Sequence, residues 1–244
     1  MEYVEAYRLT GRTAVVTGAT GGIGVETAIA LERSGAVVIR HSGRTQADFS
    51  IPGEADRFTD AVLERSPKID IWVNAAGVDL MLPDRKRLSF EERLRLLMEV
   101  DVFAALQMSR RIGDQMRQQG GGTLVFFSWD GVASGLPGDT AQLYGAAKGA
   151  ILGACRSLAQ TLAPEVRVRC LSLGWIQTRW GSQAAEEYRR FGIDDSLLGR
   201  WGKPSEVADA VLFLVSPQSD FIDGIDIRLN GGKRTGFQKK KGES

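Results

Sequence analysis

Short apolar runs alternate with longer amphipathic stretches along the chain. Six runs have the length and the β-branched or aromatic content of strands: Thr13–Thr17, Val37–Arg40, Ile69–Val73, Thr123–Phe127, Val166–Leu171 and Ile225–Leu229. Between them apolar positions recur at helical spacing. Ser89-Phe-Glu-Glu92 is a capping box, a side-chain acceptor followed three residues later by a carboxylate, and it opens a long helical stretch that runs to Gly120-Gly-Gly122. Lys203-Pro-Ser-Glu206 opens another through Ala210 and Leu214, proline being tolerated in a first turn. This alternation predicts an α/β protein, a parallel sheet with crossover helices.

Bulk properties narrow the picture. The 244 residues can bury one substantial core, so a single domain over residues 1–232 is expected, with a substrate lid near 179–198. Residues 233–244 read as a polar, basic, solvated tail. A net charge of +1 gives no global field for nucleic acid or an anionic membrane. No apolar run approaches the length of a membrane span and the first residues lack a signal peptide's pattern, so the expected compartment is the cytoplasm. Cys155 and Cys170 offer neither a disulfide framework nor a metal site. A Ser-His-Asp hydrolase would have to use His41, the only histidine, which sits beside a basic, glycine-containing turn; that reading ranks low.

Chemistry enters at Thr17-Gly-Ala-Thr-Gly-Gly-Ile-Gly24, directly after the first strand and opening a helix. Glycines there allow a tight turn and close approach of backbone to a pyrophosphate, while the helix N-terminus supplies N–H donors and a positive dipole end. A second candidate is Tyr144-Gly-Ala-Ala-Lys148. Positions four apart share a helix face, and an adjacent ammonium is expected to lower a phenol's pKa toward the useful range.

Taken in order, the Gly-rich turn, Asn74-Ala-Ala-Gly77, Tyr144-x-x-x-Lys148 and the pattern from Gly199-Arg-Trp-Gly through Asn230-Gly-Gly232 resemble the short-chain dehydrogenase/reductase family. The resemblance implies a Rossmann-like doubly wound sheet in three α/β/α layers. It also implies an NAD(P)-dependent oxidoreductase acting on a carbonyl/alcohol pair, with Tyr144 as general acid/base and Lys148 also binding the nicotinamide ribose. Expected cofactor contacts are Gly18, Thr20, Gly22, Ile23, Gly24, Ser42, Arg44, Asp48, Asn74, Ala75, Ala76, Gly77, Tyr144, Lys148, Ile176 and Thr178, with no metal. Ser42 stands where NAD enzymes place an acid, and Arg44, ahead of Arg40, favours a 2′-phosphate; NADP is expected over NAD. The helix that usually follows the second strand is missing, since Ala47-Asp-Phe-Ser50 comes almost at once. A homodimer or homotetramer is implied, packed on the helix opened by Ser89 and on the small-residue helix of Gly149, Ala150, Gly153 and Ala154.

The pattern also departs from the family. Asp101 stands where the family's catalytic-site Asn is usual, and an Asp there can still hold a water and pair with Lys148. Matched strand to strand, Trp129 takes the position of the catalytic serine, with Ser128 just before it and Asp130 after it. Ser128 is a candidate replacement, although a one-residue slip turns a side chain to the other face. Losing such a donor in comparable sites costs about 2.7–4 kcal/mol. The proton-relay end therefore reads as intact and the polarising end as rebuilt or lost, which leaves a nucleotide-binding sensor or scaffold with weak turnover as the rival function.

Overall fold

A computed structural model describes residues 5–43, 45–178, 181 and 184–234. Its centre is one parallel six-stranded sheet in the order β2-β1-β3-β4-β5-β6. The strands are β1 (Thr13–Thr17), β2 (Val37–Arg40), β3 (Ile71–Asn74), β4 (Gly122–Trp129), β5 (Val166–Leu173) and β6 (Asp226–Leu229). All six expected strands form, with ends displaced by one or two residues.

Helices cover both faces, as the alternation requires. On one side lie α1 (Gly22–Arg33) and the late helix α7 (Pro204–Val215); on the other lie α2 (Glu54–Arg65), α3 (Phe90–Leu97), α4 (Ala105–Gln118) and α5 (Asp139–Leu162). β4 shows why: Leu124 and Phe126 join the core under α4 and α5, whereas Val125 and Phe127 join the core under α1 and α7. A strand buried on both faces must be apolar at successive positions. This is the doubly wound, three-layer arrangement. Its strand order reverses between β1 and β3, and ligands bind such sheets beyond the carboxyl ends of the strands at that switch point.

The capping box forms as written: the Ser89 hydroxyl accepts from the Glu92 N–H, and the Glu92 carboxylate accepts from the Ser89 N–H at 2.7 Å. The long helical stretch is not uniform. Met98–Ala104 is wound as a π-helix between α3 and α4, and Asp101 lies inside it. Such bulges re-aim side chains and often mark functional positions.

No helix intervenes between β2 and Ala47–Ser50. That segment is instead anchored by aromatic packing, with His41 stacked on Phe49 at 4.2 Å and Phe58 linking Phe49 to Trp72. Within the lid region, α6 (Glu186–Asp195) is helical and packs Phe191 edge-on against Trp175. Trp180 lies outside the described residues. The first residue of the expected tail is anchored: half-buried Lys233 lies within ion-pair distance of both Asp130 and Asp195, at 3.6 and 3.5 Å, while residues 235–244 lie outside the described residues. No helix among the described residues is long and apolar enough to cross a membrane.

Candidate active site

The Gly-rich turn is held by a knot around Thr17. Its hydroxyl donates to the Val73 carbonyl and accepts from the N–H groups of Ala75 and Ala76, both at 3.1 Å, tying the end of β1 to the Asn74–Gly77 segment. Two glycines are obligatory here for different reasons. Gly18 has φ of +65°, and a methyl on it would lie 2.6 Å from the Ala75 carbonyl. A methyl on Gly24 would collide with the Gly18 carbonyl. The turn therefore folds back on itself and on the neighbouring strand end with no room for side chains.

What remains open is the N-terminus of α1. Gly21 caps it without a side-chain acceptor, and Thr20, Gly21 and Gly22 are exposed. Thr178 leans over this end, its Cβ 3.4 Å from where a methyl on Gly22 would stand. Bare helical N–H groups at the switch point, with a hydroxyl residue beside them, suit an anionic pyrophosphate. The residues present thus fit a dinucleotide.

The Asn74 side chain does not join this cradle. Its amide donates to the Ser109 hydroxyl at 2.9 Å and to the Val125 carbonyl, and its oxygen accepts from the Trp72 indole at 3.0 Å. The Asn74 side chain is a buried tie between β3, β4 and α4, which leaves only its main chain for the expected cofactor contact. Neighbouring Ala75, Ala76 and Gly77 stay at the surface of the strand end.

At the second strand's end, Ser42 is buried and Asp48 is exposed, its carboxylate accepting from the Ser50 N–H and hydroxyl. Arg40 forms a two-bond pair with Glu32 of α1, and Arg44 lies outside the described residues. The sequence reading missed His41. Its Nδ1 accepts from the Gly18 N–H at 3.2 Å, so Nε2 carries the proton and donates to the Ala47 carbonyl at 2.8 Å. Burial lowers its pKa. The imidazole is therefore a neutral strut between the Gly-rich turn and the Ala47–Ser50 segment. Nothing in local sequence marks a histidine for that role; the aromatic residues beneath it are distant in the chain.

The proton-transfer group assembles on α5 against the π-helical turn. Lys148 Nζ sits 2.9 Å from Asp101, whose carboxylate is almost fully buried, and it also donates to the Phe127 carbonyl. The other Asp101 oxygen accepts from the Val78 N–H at 2.8 Å. The Tyr144 hydroxyl donates to the Val78 carbonyl at 2.8 Å and accepts from the Leu80 N–H at 3.2 Å. Tyr144, Lys148 and Asp101 are thus one network, and Val78–Leu80 lies across it.

This wiring reverses one expectation. The Tyr144 pKa is raised, not lowered: burial dominates, the Leu80 N–H opposes it, and the carboxylates of Asp101 and Asp79 push it further up. Lys148 brings no visible relief, because its charge is paired with Asp101.

Ser128 is also corrected. Its hydroxyl donates to the Lys148 carbonyl at 2.9 Å, fastening β4 to α5 instead of facing a substrate. Trp129 lays its indole over Gly131, where a methyl would collide with the ring. Asp130 accepts from the Asn230 amide at 3.0 Å and faces Lys233. No serine hydroxyl from the end of β4 is presented to the phenol.

The profile of a family described as enoyl-(acyl carrier protein) reductase matches residues 40–234. The chain belongs to the short-chain dehydrogenase/reductase family. A galactitol 2-dehydrogenase of Cereibacter sphaeroides is 32% identical, covering 95% of this chain and 98% of its own. A 3-oxoacyl-[acyl-carrier-protein] reductase of Thermotoga maritima is 29% identical over 92% of this chain and 98% of its own. Among solved structures, a protein assigned as an NAD(P)-dependent gluconate 5-dehydrogenase of Beutenbergia cavernae, with bound NADP, aligns at a TM-score of 0.81 and 27% identity. The alignment covers 93% of this chain and 98% of that one. These relatives act on a sugar alcohol and on an acyl-carrier thioester, so membership fixes an oxidoreductase family without fixing a substrate.

Proposed function

We propose that the protein is an NADP-dependent oxidoreductase that interconverts a carbonyl and an alcohol, with Tyr144 moving the proton. The observation that carries this reading is the Tyr144–Lys148–Asp101 network standing beside an open, glycine-built cradle at the switch point of the sheet. Gly18, Thr20, Gly22, Ile23, Gly24, Ile176 and Thr178 would hold the dinucleotide there, and its nicotinamide would supply or accept the hydride. Tyr144 gives its proton to the substrate oxygen on reduction and takes it back on oxidation. Lys148, held by Asp101, orients the ribose side of the cofactor. For this to happen the Tyr144 hydroxyl must leave the Val78 carbonyl and the Leu80 N–H, so turnover includes withdrawal of that segment. A relative solved with NADP, Ser42 in place of an acid, and Arg44 close behind it support the choice of NADPH over NADH.

A second reading is favoured by the same closure: a nucleotide-binding member with little turnover, its phenol occupied by backbone. The Tyr144→Phe variant separates the two. It should abolish carbonyl reduction while leaving NADPH affinity intact; an enzyme inactive on a broad carbonyl panel before substitution supports the sensor reading. Tighter calorimetric binding of NADPH than NADH, weakened in Arg44→Ala, tests the cofactor choice. We further propose a cytoplasmic homodimer or homotetramer joined through the α3–α4 stretch that carries Asp101 and through α5, where Phe103 of the π-helical turn is exposed and Gly153 faces open space. Light scattering at micromolar concentration should report more than one subunit.

A further inference from the structure

A second cavity, of about 380 Å³, lies at the opposite edge of the sheet from the Gly-rich turn. Its walls include Arg12 just before β1, Asp70 just before β3, Gly122 at the start of β4 and Glu165 just before β5, so it faces the amino ends of the strands. Five basic side chains line it: Arg8, Arg12, Lys68, Arg167 and Arg169. Three acids stand against them. Asp70 is taken up by Arg12 at 2.9 Å and Lys68 at 3.6 Å, Asp220 is taken up by Arg167 at 2.6 Å, and Glu165 is the third. Positive charge is in excess.

Arg169 is the unusual member. It is 1% exposed, and its guanidinium donates to three carbonyls: Ile222 at 2.7 Å, Ser219 at 2.6 Å and Leu214. Among the described residues no carboxylate comes within ion-pair distance of it. Burial, and then repulsion from Arg167, lower its pKa to about 10. A buried charge is ordinarily paired, because carbonyl dipoles alone do not replace the lost hydration. The cavity also has uncrowded backbone, since a methyl on Gly120 would meet nothing within 4 Å.

We propose that this cavity is a second ligand site, one that takes a small phosphate-bearing anion between Arg167 and Arg8, with the buried, unpaired charge of Arg169 behind it. Guanidinium groups match phosphate oxygens with paired, charge-assisted hydrogen bonds, and a volume of this size holds a small metabolite. The site lies apart from the cofactor cradle and does not depend on the cofactor reading.

The test is calorimetric titration of the full chain with inorganic pyrophosphate, at constant ionic strength and with saturating NADPH to occupy the cradle. Saturable binding is expected, weakened at least about tenfold in an Arg8→Ala/Arg167→Ala double variant and unchanged in Arg117→Ala, an exposed side chain of α4. Both side chains are solvent-accessible, and thermal melts will confirm that the double variant folds. Absence of saturable binding overturns the proposal. So does affinity that the double variant leaves untouched, or an equal response to sodium chloride.

Discussion

The two ends of the site are built differently. The cofactor end is made of backbone: glycines with no room for a methyl, a Thr17 knot and bare helical N–H groups. The proton-transfer end is made of side chains whose behaviour depends on what packs over them: Asp101 holds both Lys148 and Val78, and Val78–Leu80 holds Tyr144. A cradle of backbone keeps its chemistry as long as it keeps its shape. A side-chain network can keep every residue type and still be closed.

The largest effect should come from Tyr144→Phe, which leaves the cradle alone. General acid–base catalysis is worth about 10²–10⁴ in rate, so steady-state reduction should fall by that order while NADPH affinity stays put. Full activity in this variant would reject the mechanism.

The converse break is Gly24→Ala. Its methyl meets the Gly18 carbonyl, and overpacking of this kind costs about 1–3 kcal/mol. Chemical denaturation should show that loss, and cofactor affinity should fall with it. Unchanged affinity would mean that the turn does not hold the cofactor.

Asp101→Asn sharpens the comparison, because it keeps an acceptor for the Val78 N–H while removing the charge. The phenol should then ionise more easily, shifting the alkaline limb of the pH–rate profile to lower pH. Lys148 loses its counter-ion, so some thermal stability should be lost as well. A profile that does not move would show that Asp101 has no electrostatic hold on Tyr144.

The smallest effect concerns His41. Its folded-state pKa lies below the ordinary 6.5, so the unfolded chain takes up the proton first as pH falls. Stability should therefore decline as pH drops through and below that ordinary value. The slope of melting temperature between pH 7.5 and pH 5.5 should flatten in His41→Gln; an equal slope in the variant would place the acid sensitivity elsewhere.

How much of this was legible follows from what each feature is made of. Strand runs, the capping box and the Gly-rich turn are local, and they form where the sequence places them. The pairing of Asp101 with Lys148 joins two helices that no spacing along the chain relates, so only the family pattern pointed to it. Ser128 was misjudged because alternation along β4 turns it toward α5, where the Lys148 carbonyl waits. The Asn74 side-chain tie was hidden for a similar reason: its partners, Trp72, Ser109 and Val125, are brought together only by the packed sheet. The phenol's raised pKa comes from burial and from the carboxylates of Asp101 and Asp79, and Asp79 lies in a loop whose path no periodicity reveals. His41 looked idle because its hydrogen-bond partners, Gly18 and Ala47, are both main-chain atoms.

Lys233 has a practical consequence. Its ammonium reaches Asp130 at the end of β4 and Asp195 at the end of α6, so the strand tip, α6 and the chain after β6 meet at one point. A purification tag or surface tether fused beyond it would pull on α6 through that joint. Attachment at the C-terminus therefore becomes a kinetic variable in its own right, and immobilised preparations should be compared with ones fixed through the N-terminus.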